Sequence, residues 1–267
     1  SSRLASNVRE LCMKKFIVAL GFALSLFAVP AWAQSFNACG QTFSYPGPSK
    51  VIVNMTVNLT CPANTIGVTL GTFVTLQMNG HILTSTNVGV TTGAGVQFTG
   101  KPNDLKGPGT ISGFYRNVRV LANVGETNVN SINGITATAA RYTSIAIGSN
   151  SNTSVTNNVI RLSQTSSGVV CNGKCVVTGN TINGHAVDGL RCTNTTSCSS
   201  YSNAFSSNTS QDIEVNNSNM FVEFRSCPHD INAILGSTVN LDELSSCSID
   251  CLNDGTSTYT GTTGVCN

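Results

Sequence analysis

The chain has 267 residues, only 10% of them charged, and a formal net charge of +2 at pH 7. So small a charge removes the attraction through which proteins bind nucleic acid or anionic membrane surfaces, and neither partner is expected. The 11 cysteines favour a compartment in which disulfides form.

The N-terminus has the three regions of a secretory signal peptide. Basic residues follow Met13, an apolar run extends from Phe16 to Val29, and Ala31-Trp-Ala33 forms a small-x-small cleavage site. We therefore interpret residues 1–12 as an upstream extension outside the protein proper and residues 13–33 as the leader. A membrane helix needs about 20 apolar residues, so no membrane insertion is expected after cleavage. The leader is of bacterial type and predicts a periplasmic or secreted protein.

The mature chain would begin at Gln34 and contain ten basic and eleven acidic residues. It keeps ten cysteines, an even number that in an exported protein indicates up to five disulfides. The spacings Cys171-x3-Cys175 and Cys247-x3-Cys251 also suit metal pairs, but no histidine lies at ligand spacing, so no metal is expected. The ten are Cys39, Cys61, Cys171, Cys175, Cys192, Cys198, Cys227, Cys247, Cys251 and Cys266. Cys39–Cys61, Cys171–Cys175 and Cys192–Cys198 are the expected local pairs.

A short phrase occurs twice, as VTNNVI at Val155–Ile160 and VTGNTI at Val177–Ile182. Similar phrases recur along the chain at unequal intervals of roughly 20 to 30 residues, a period typical of stacked repeats. Their closing apolar residues are Ile82, Ile111, Ile132, Ile160, Ile182 and Phe205. Each interval has room for two or three short strands, which predicts an all-β stack of about six coils whose closing residues form one buried column.

Four asparagines fall near the phrase ends: Asn130, Asn158, Asn180 and Asn203. Asparagine tolerates a left-handed backbone, and its amide can bond the asparagine of the next coil. We expect these four to form one structural ladder.

The stack is predicted to occupy residues 67–224 between two disulfide-tied caps. Residues 34–66, with Cys39 and Cys61, are expected to cover the N-terminal end. Residues 225–267, rich in cysteine, are expected to cover the C-terminal end.

Three segments carry a resemblance to a known family: TLQMNGHI at Thr75–Ile82, LKGPGTISGF at Leu105–Phe114 and VTGNTING at Val177–Gly184. They resemble the right-handed parallel β-helix proteins of the pectate-lyase-like group and their small exported relatives of the NosD type. The resemblance implies a single-stranded right-handed parallel β-helix. It implies little about activity, because this fold carries lyases, hydrolases, adhesins and binding proteins.

Enzymatic versions of this fold need residues that are scarce here. A glycosidase of the polygalacturonase type needs paired carboxylates, yet the chain has no Asp-Asp pair, and Ala186 follows Gly184-His185. A pectate lyase needs several carboxylates around calcium, and the acidic residues of the repeat region are scattered. Calcium is therefore expected only if the protein is a lyase, and otherwise no cofactor is expected.

The strongest remaining cluster is His185, Asp188 and Arg191, which are weak catalytic candidates. Ligand binding is assigned to Arg119, Arg141, Arg161 and Arg191. Arg141 and Arg191 stand at the same distance after a phrase end, so two coils apart on one sheet they would be about 10 Å from each other and face an anionic polymer. The competing interpretation is a set of solvated turn arginines with Asp188 as a local partner.

These residues predict a monomeric protein that binds a polysaccharide, anionic if the arginines recognise it, along an exposed sheet without catalysis. A polysaccharide lyase or related enzyme acting on uronic-acid polymers is the first alternative. An envelope structural or adhesin-like protein is the second.

Overall fold

The computed structural model describes residues 33–86, 91–121, 128–195, 197–224, 230–243 and 249–261. The chain separates into two compact units, Ser1–Ala33 and Gln34–Asn267, and all the described strands belong to the second. The predicted extension, and the predicted signal peptide apart from Ala33, lie outside the described residues.

The described strands form three parallel sheets, here called A, B and C. Sheet A has 11 strands: β1 (Gln34–Phe36), β3 (Val51–Met55), β6 (Val74–Gln77), β9 (Asn103–Lys106), β12 (Asn130–Asn133), β15 (Asn152–Thr156), β18 (Lys174–Thr178), β21 (Cys198–Tyr201), β24 (Asn219–Phe224), β26 (Thr238–Glu243) and β28 (Thr258–Gly261). Sheet B has ten: β2 (Gln41–Phe43), β5 (Ile66–Leu70), β8 (Ala94–Phe98), β11 (Arg116–Val120), β14 (Thr143–Ile147), β17 (Val169–Cys171), β20 (Leu190–Thr193), β23 (Ile213–Asn216), β25 (Asp230–Ile234) and β27 (Asp250–Asn253). Sheet C has seven: β4 (Leu59–Cys61), β7 (Ile82–Ser85), β10 (Thr110–Ser112), β13 (Thr136–Thr138), β16 (Val159–Arg161), β19 (Thr181–Asn183) and β22 (Ala204–Ser206).

The architecture is a parallel β-solenoid, as the repeat predicted. Each strand pairs with the equivalent strand about one coil later, at the spacing of about 4.8 Å between strands. Residues alternate between interior and exterior: Val155 and Val177 are fully buried partners, whereas Thr156 and Thr178 face outwards beside them. The inward residues of all three sheets form one apolar core, which a single coil could not bury alone.

The predicted column of closing residues is correct at four positions and wrong at two. Ile111, Ile160, Ile182 and Phe205 lie at one level of sheet C, where Leu59, Leu83 and Ala137 complete the column. Ile82 precedes that level, pairs with Thr110 and is 43% exposed. Ile132 is buried but lies in sheet A, between Leu105 and Val155. The described sheets amount to about nine coils rather than six, because the segments predicted to be caps, 34–66 and the described parts of 225–267, also form coils.

An asparagine ladder runs along the turn from sheet A to sheet C. Asn180 accepts the Asn158 amide N–H at 2.9 Å, and Asn203 accepts the Asn180 N–H at 2.9 Å. The Asn180 side-chain amide also donates to Val155 O at 2.9 Å. The residue before each asparagine has the left-handed backbone: Asn157 (φ 54°), Gly179 (φ 65°) and Ser202 (φ 56°). These asparagines therefore stabilise the turn through their side-chain amides, and the left-handed backbone conformation belongs to the residue before each of them.

Asn130 does not belong to this ladder. It is the first residue of β12, at the turn that enters sheet A and not at the turn that leaves it. Its side chain accepts the Asn103 N–H at 2.9 Å. Asn103 in turn accepts the Val74 N–H at 2.9 Å. The equivalence expected between Asn130 and the other three asparagines is therefore wrong, because the same amide bonding occurs at two different corners of the stack, in different coils.

The predicted caps contain strands of the solenoid itself. Residues 34–66 supply strands to all three sheets, and the described parts of 225–267 extend sheets A and B. Disulfides join Cys39 to Cys61, Cys171 to Cys175 and Cys192 to Cys198. Cys251 is also disulfide-bonded, while Cys227, Cys247 and Cys266 lie outside the described residues. These bonds suit an oxidising environment. In the described part of the chain, no helix is long and apolar enough to cross a membrane.

Candidate functional site

A groove of about 480 Å³ lies on the outer face of sheet B, across strands β11, β14, β17 and β20. Arg116 and Arg119 line one end, and Arg191 lines the other. Tyr142 and Asn172 contribute further polar atoms to the walls. The groove crosses the strands and so follows the direction in which the coils stack.

The groove has a small, apolar floor because of the register between coils. Arg119 pairs with Ala146, Ala146 with Val170, and Val170 with Arg191. These four residues form one outward column, in which three strand spacings put the two arginine backbones about 14 Å apart. Short side chains between two long cationic ones leave space for a ligand that lies along the column.

Two tyrosines hold Arg116 in place. Tyr115 and Tyr142 occupy equivalent positions on adjacent coils, and their rings stack with centroids 5.1 Å apart and planes 7° apart. The Arg116 guanidinium lies 4.8 Å from the Tyr115 centroid and 5.3 Å from the Tyr142 centroid. Such cation–π contacts restrict the guanidinium without neutralising it. Burial and the neighbouring Arg119 charge lower the pKa of Arg116, but a guanidinium remains charged in proteins.

Arg191 differs from the arginines at the other end because it has a carboxylate partner. Its Nε lies 2.8 Å from Glu214 Oε1 on the next coil, where the two residues are register partners. This ion pair fixes the side chain and offsets part of its charge. The net positive charge is therefore concentrated at Arg116 and Arg119.

The two other arginines assigned to ligand binding lie outside the groove. Arg141 occupies the turn before β14 and donates from Nη1 to Gln164 Oε1 at 2.7 Å. Arg161 ends β16 and is exposed on sheet C. The predicted equivalence of Arg141 and Arg191 is wrong, because Ala146 and not Arg141 occupies the level of Arg191 two coils earlier.

His185 belongs to a backbone ladder and not to an open site. It is 1% exposed, its Nδ1 accepts the Ser163 N–H at 3.0 Å, and its Nε2 lies 3.2 Å from Ile160 O. These partners assign the proton to Nε2. Burial lowers the pKa of His185 to about 4. Both ring nitrogens are occupied, so this imidazole offers neither an acid nor a base to a ligand.

Asp188 has no exposed surface. Its Oδ2 accepts a hydrogen bond from Ser167 Oγ at 3.0 Å. Burial, and then the charge of Glu214, raise the pKa of Asp188 to about 6. The structure thus places His185 and Asp188 beneath the surface and only Arg191 in the groove, so the three candidate catalytic residues do not form an open catalytic set.

The described lining of the groove contains three arginines and no carboxylate, imidazole or thiol. This set can bind and orient anions, but proton transfer would need a further group. Among the described residues, side chains close enough together to hold a metal occur at Cys171, Cys192 and Cys198, which face the interior.

Sequence reasoning missed Arg116 and both tyrosines. The sequence does contain a signal for these residues. Tyr115 and Arg116 are adjacent, and a second tyrosine, Tyr142, follows at an interval of about one coil. Without the register of sheet B, that interval could not be distinguished from the other spacings between phrases.

No family model, curated protein or solved structure gives a significant match to this chain.

Proposed function

We propose that this is an exported protein that binds an acidic polysaccharide along the groove of sheet B without cleaving it. The observation that carries the proposal is the concentration of Arg116, Arg119 and Arg191 around a small apolar floor whose described lining has no acidic residue. Arginine is suited to this task because its planar guanidinium binds carboxylates through two parallel hydrogen bonds.

An extended polymer fits the groove better than a compact anion. The cationic ends are about 14 Å apart along the stacking direction, so a ligand must carry separated negative groups to contact both. Ala146 and Val170 provide a smooth surface between them, and the partly exposed Tyr142 ring lines one wall. A chain of uronic acids has repeated carboxylates on rings with apolar faces.

Binding is favoured over catalysis by the placement of the acidic residues. A lyase or hydrolase needs a base within reach of the reacting carbon or water. Asp188 is buried, and the Glu214 carboxylate is paired with Arg191. Membership of the pectate-lyase-like or NosD-type group, cleavage of a leader after Ala33 and a periplasmic or secreted location form part of this proposal.

The binding test uses calorimetry with polygalacturonate, alginate and a neutral glucan at low and high salt. We expect binding to the uronic-acid polymers, weakened by salt, because exposed charges are screened. Arg119→Ala should weaken it about tenfold, the value of one charge-assisted contact. Arg141→Ala and Arg161→Ala are matched controls that remove the same charge outside the groove and should leave affinity unchanged. Equal losses in all three variants would overturn the assignment of the groove.

Catalysis is tested with the same polymers, with and without calcium. Ultraviolet absorbance detects the unsaturated ends made by a lyase, and a reducing-end assay detects hydrolysis. Neither signal is expected. Turnover that Arg119→Ala or Arg191→Ala abolishes would replace the binding role with an enzymatic one at this groove.

A further inference from the structure

Four cysteines meet inside the solenoid at the turn from sheet B to sheet A. We call Cys171, Cys175, Cys192 and Cys198 the cysteine box. Cys171 and Cys192 are register partners in sheet B, and Cys175 and Cys198 are register partners in sheet A. In each of these two coils, one disulfide joins the strand of sheet B to the following strand of sheet A. The two disulfides therefore lie one above the other. All four side chains are buried, with at most 2% of their surface exposed.

Three of the four sulfur atoms in the cysteine box have the spacing of a metal site. The Sγ atoms of Cys171, Cys192 and Cys198 all lie within 4.8 Å of one another, and Cys175 is bonded to Cys171. A tetrahedral zinc tetrathiolate has Zn–S bonds of about 2.3 Å, which separates its sulfurs by about 3.8 Å. Opening the two disulfides would leave the thiols of Cys171, Cys192 and Cys198 close to that geometry, and the Cys175 thiol, released from Cys171, would turn towards them to complete it.

A buried hydroxyl beside the box is a second, independent observation. Thr153 is fully buried, and its Oγ1 has no hydrogen-bond partner. It faces the interior as the register partner of Cys175, one strand spacing of about 4.8 Å away. A buried hydroxyl without a partner costs free energy, whereas a thiolate next to it would accept its hydrogen bond.

We propose that the reduced chain binds one zinc-class divalent cation in the cysteine box, with all four thiolates as ligands and Thr153 as their outer-shell donor. Metal and disulfides are then alternative ways of closing the same two coils. A dithiol reductant supplies two electrons and two protons to each disulfide and is itself oxidised to a disulfide. The four thiols release four protons when they bind the cation.

The backbone around the box favours this geometry. Each pair of cysteines spans a short turn between two strands, so the ligand positions are set by paired strands and not by a long loop. Cys39 and Cys61 also form a disulfide, but the described residues bring no third ligand to that pair. This inference is independent of the groove on the outer face of sheet B.

The test reduces the full chain with a phosphine in denaturant and refolds it without oxygen in the presence of Co²⁺, a spectroscopic substitute for zinc. We expect thiolate-to-cobalt charge transfer and the intense red absorption of tetrahedral cobalt, saturating at one cation per chain. Zn²⁺ should then displace the colour. Failure of either metal to restore more β-sheet circular dichroism than refolding of the reduced chain without metal would overturn the proposal, because the metal is proposed to replace the two disulfides of the cysteine box.

Variants locate the site. The double variant Cys171→Ser with Cys198→Ser should lose the cobalt spectrum, whereas Cys39→Ser with Cys61→Ser removes as many thiols and should keep it. An unchanged spectrum in the first variant would assign the metal to other cysteines and overturn the proposal. Thr153→Val should keep the spectrum and weaken affinity about tenfold.

X-ray absorption of the zinc-loaded wild-type protein provides a measurement that does not depend on the folding of a variant. We expect four sulfur neighbours at about 2.3 Å. Oxygen or nitrogen ligands in place of two or more sulfurs would contradict a four-cysteine site.

Discussion

At the residue scale, the polar side chains in the interior are explained by the backbone groups they satisfy. The turn from sheet C to sheet B needs acceptors for its N–H groups. Ser163 accepts from Ser144, His185 from Ser163, and Asn208 from His185. Serine, histidine and asparagine can replace one another along this turn because each supplies one acceptor at the same position. His185 therefore has a role that its residue type alone does not reveal.

Asp188 makes the stability of the protein depend on pH. Its pKa is about 6 in the folded protein, against an ordinary 3.8. Between these values the folded state binds more protons than the unfolded state, so the free energy of unfolding falls as pH rises. Relative to wild type, Asp188→Asn should gain about 2 kcal/mol between pH 4 and pH 7. Denaturant unfolding of both proteins at each pH measures the difference between their free energies of unfolding. Groups that titrate in the same way in both proteins do not contribute to this difference.

His185 provides the control of opposite sign. Its pKa is about 4 in the folded protein, against 6.5 ordinarily, so in this window the unfolded state binds more protons. Relative to wild type, His185→Asn should gain stability as the pH falls. Equal slopes for His185→Asn and Asp188→Asn would contradict both assignments.

At the element scale, each strand of sheet C contributes one inward apolar residue to a continuous column. Ile182 lies between Ile160 and Phe205 in sheet C and has no exposed surface. The backbone of β19 is hydrogen-bonded to a paired strand on each side, so the neighbouring residues cannot move in to fill the cavity that a shorter side chain would leave.

Ile182→Ala should therefore lower the free energy of unfolding by about 2 to 5 kcal/mol, through lost burial and the cavity left behind. Ile82→Ala is the matched control, because Ile82 lies on the outer side of the same sheet and is 43% exposed. It should cost less than about 1 kcal/mol, since little apolar area leaves the core. Similar midpoints in urea for the two variants would mean that the register of sheet C is wrong.

The asparagine ladder makes a separate prediction. Asn180→Ala removes the acceptor of the Asn158 N–H and the donor to Val155 O, leaving buried backbone groups unpaired. We expect a loss of about 1 to 3 kcal/mol in equilibrium unfolding. Asn183→Ala, on the outer side of β19, removes the same amide from a partly exposed position and should have little effect. A loss that is as large in this control would contradict the ladder.

At the scale of the whole molecule, the solenoid is long and has few charges, and disulfides fasten it at several levels. Three bridges involve six cysteines, and Cys251 belongs to a fourth. Such bonds limit the conformations open to the unfolded chain, which matters for a stack whose coils contact only their neighbours.

The isolated protein should therefore contain almost no free thiol. Alkylation in denaturant without reductant, followed by intact-mass measurement, should add at most one label to the full chain, at Cys12 in the predicted extension, because the ten others form an even set. After reduction, all 11 cysteines should react. Several labels before reduction would mean that the isolated chain is not fully oxidised.

The sequence alone determined the fold class and much of the interior. Strands that alternate with period two and repeat at about one coil have few ways to bury their apolar faces, so stacking followed from the pattern. The asparagines at Asn158, Asn180 and Asn203 were correctly grouped because the intervals between them are nearly equal. Close spacing along the chain also made Cys171–Cys175 and Cys192–Cys198 predictable.

Only the tertiary structure decided which residues lie together on a surface. Coils of unequal length shift the register, so Ile132 was assigned to the wrong sheet, Asn130 to the wrong corner and Arg141 to the wrong column. A turn residue added or lost between strands changes the interval in the sequence but not the pairing, since strands align by hydrogen bonds and burial. The groove depends on the pairing of Arg119 with Ala146, Ala146 with Val170 and Val170 with Arg191, and this pairing exists only after the coils have stacked.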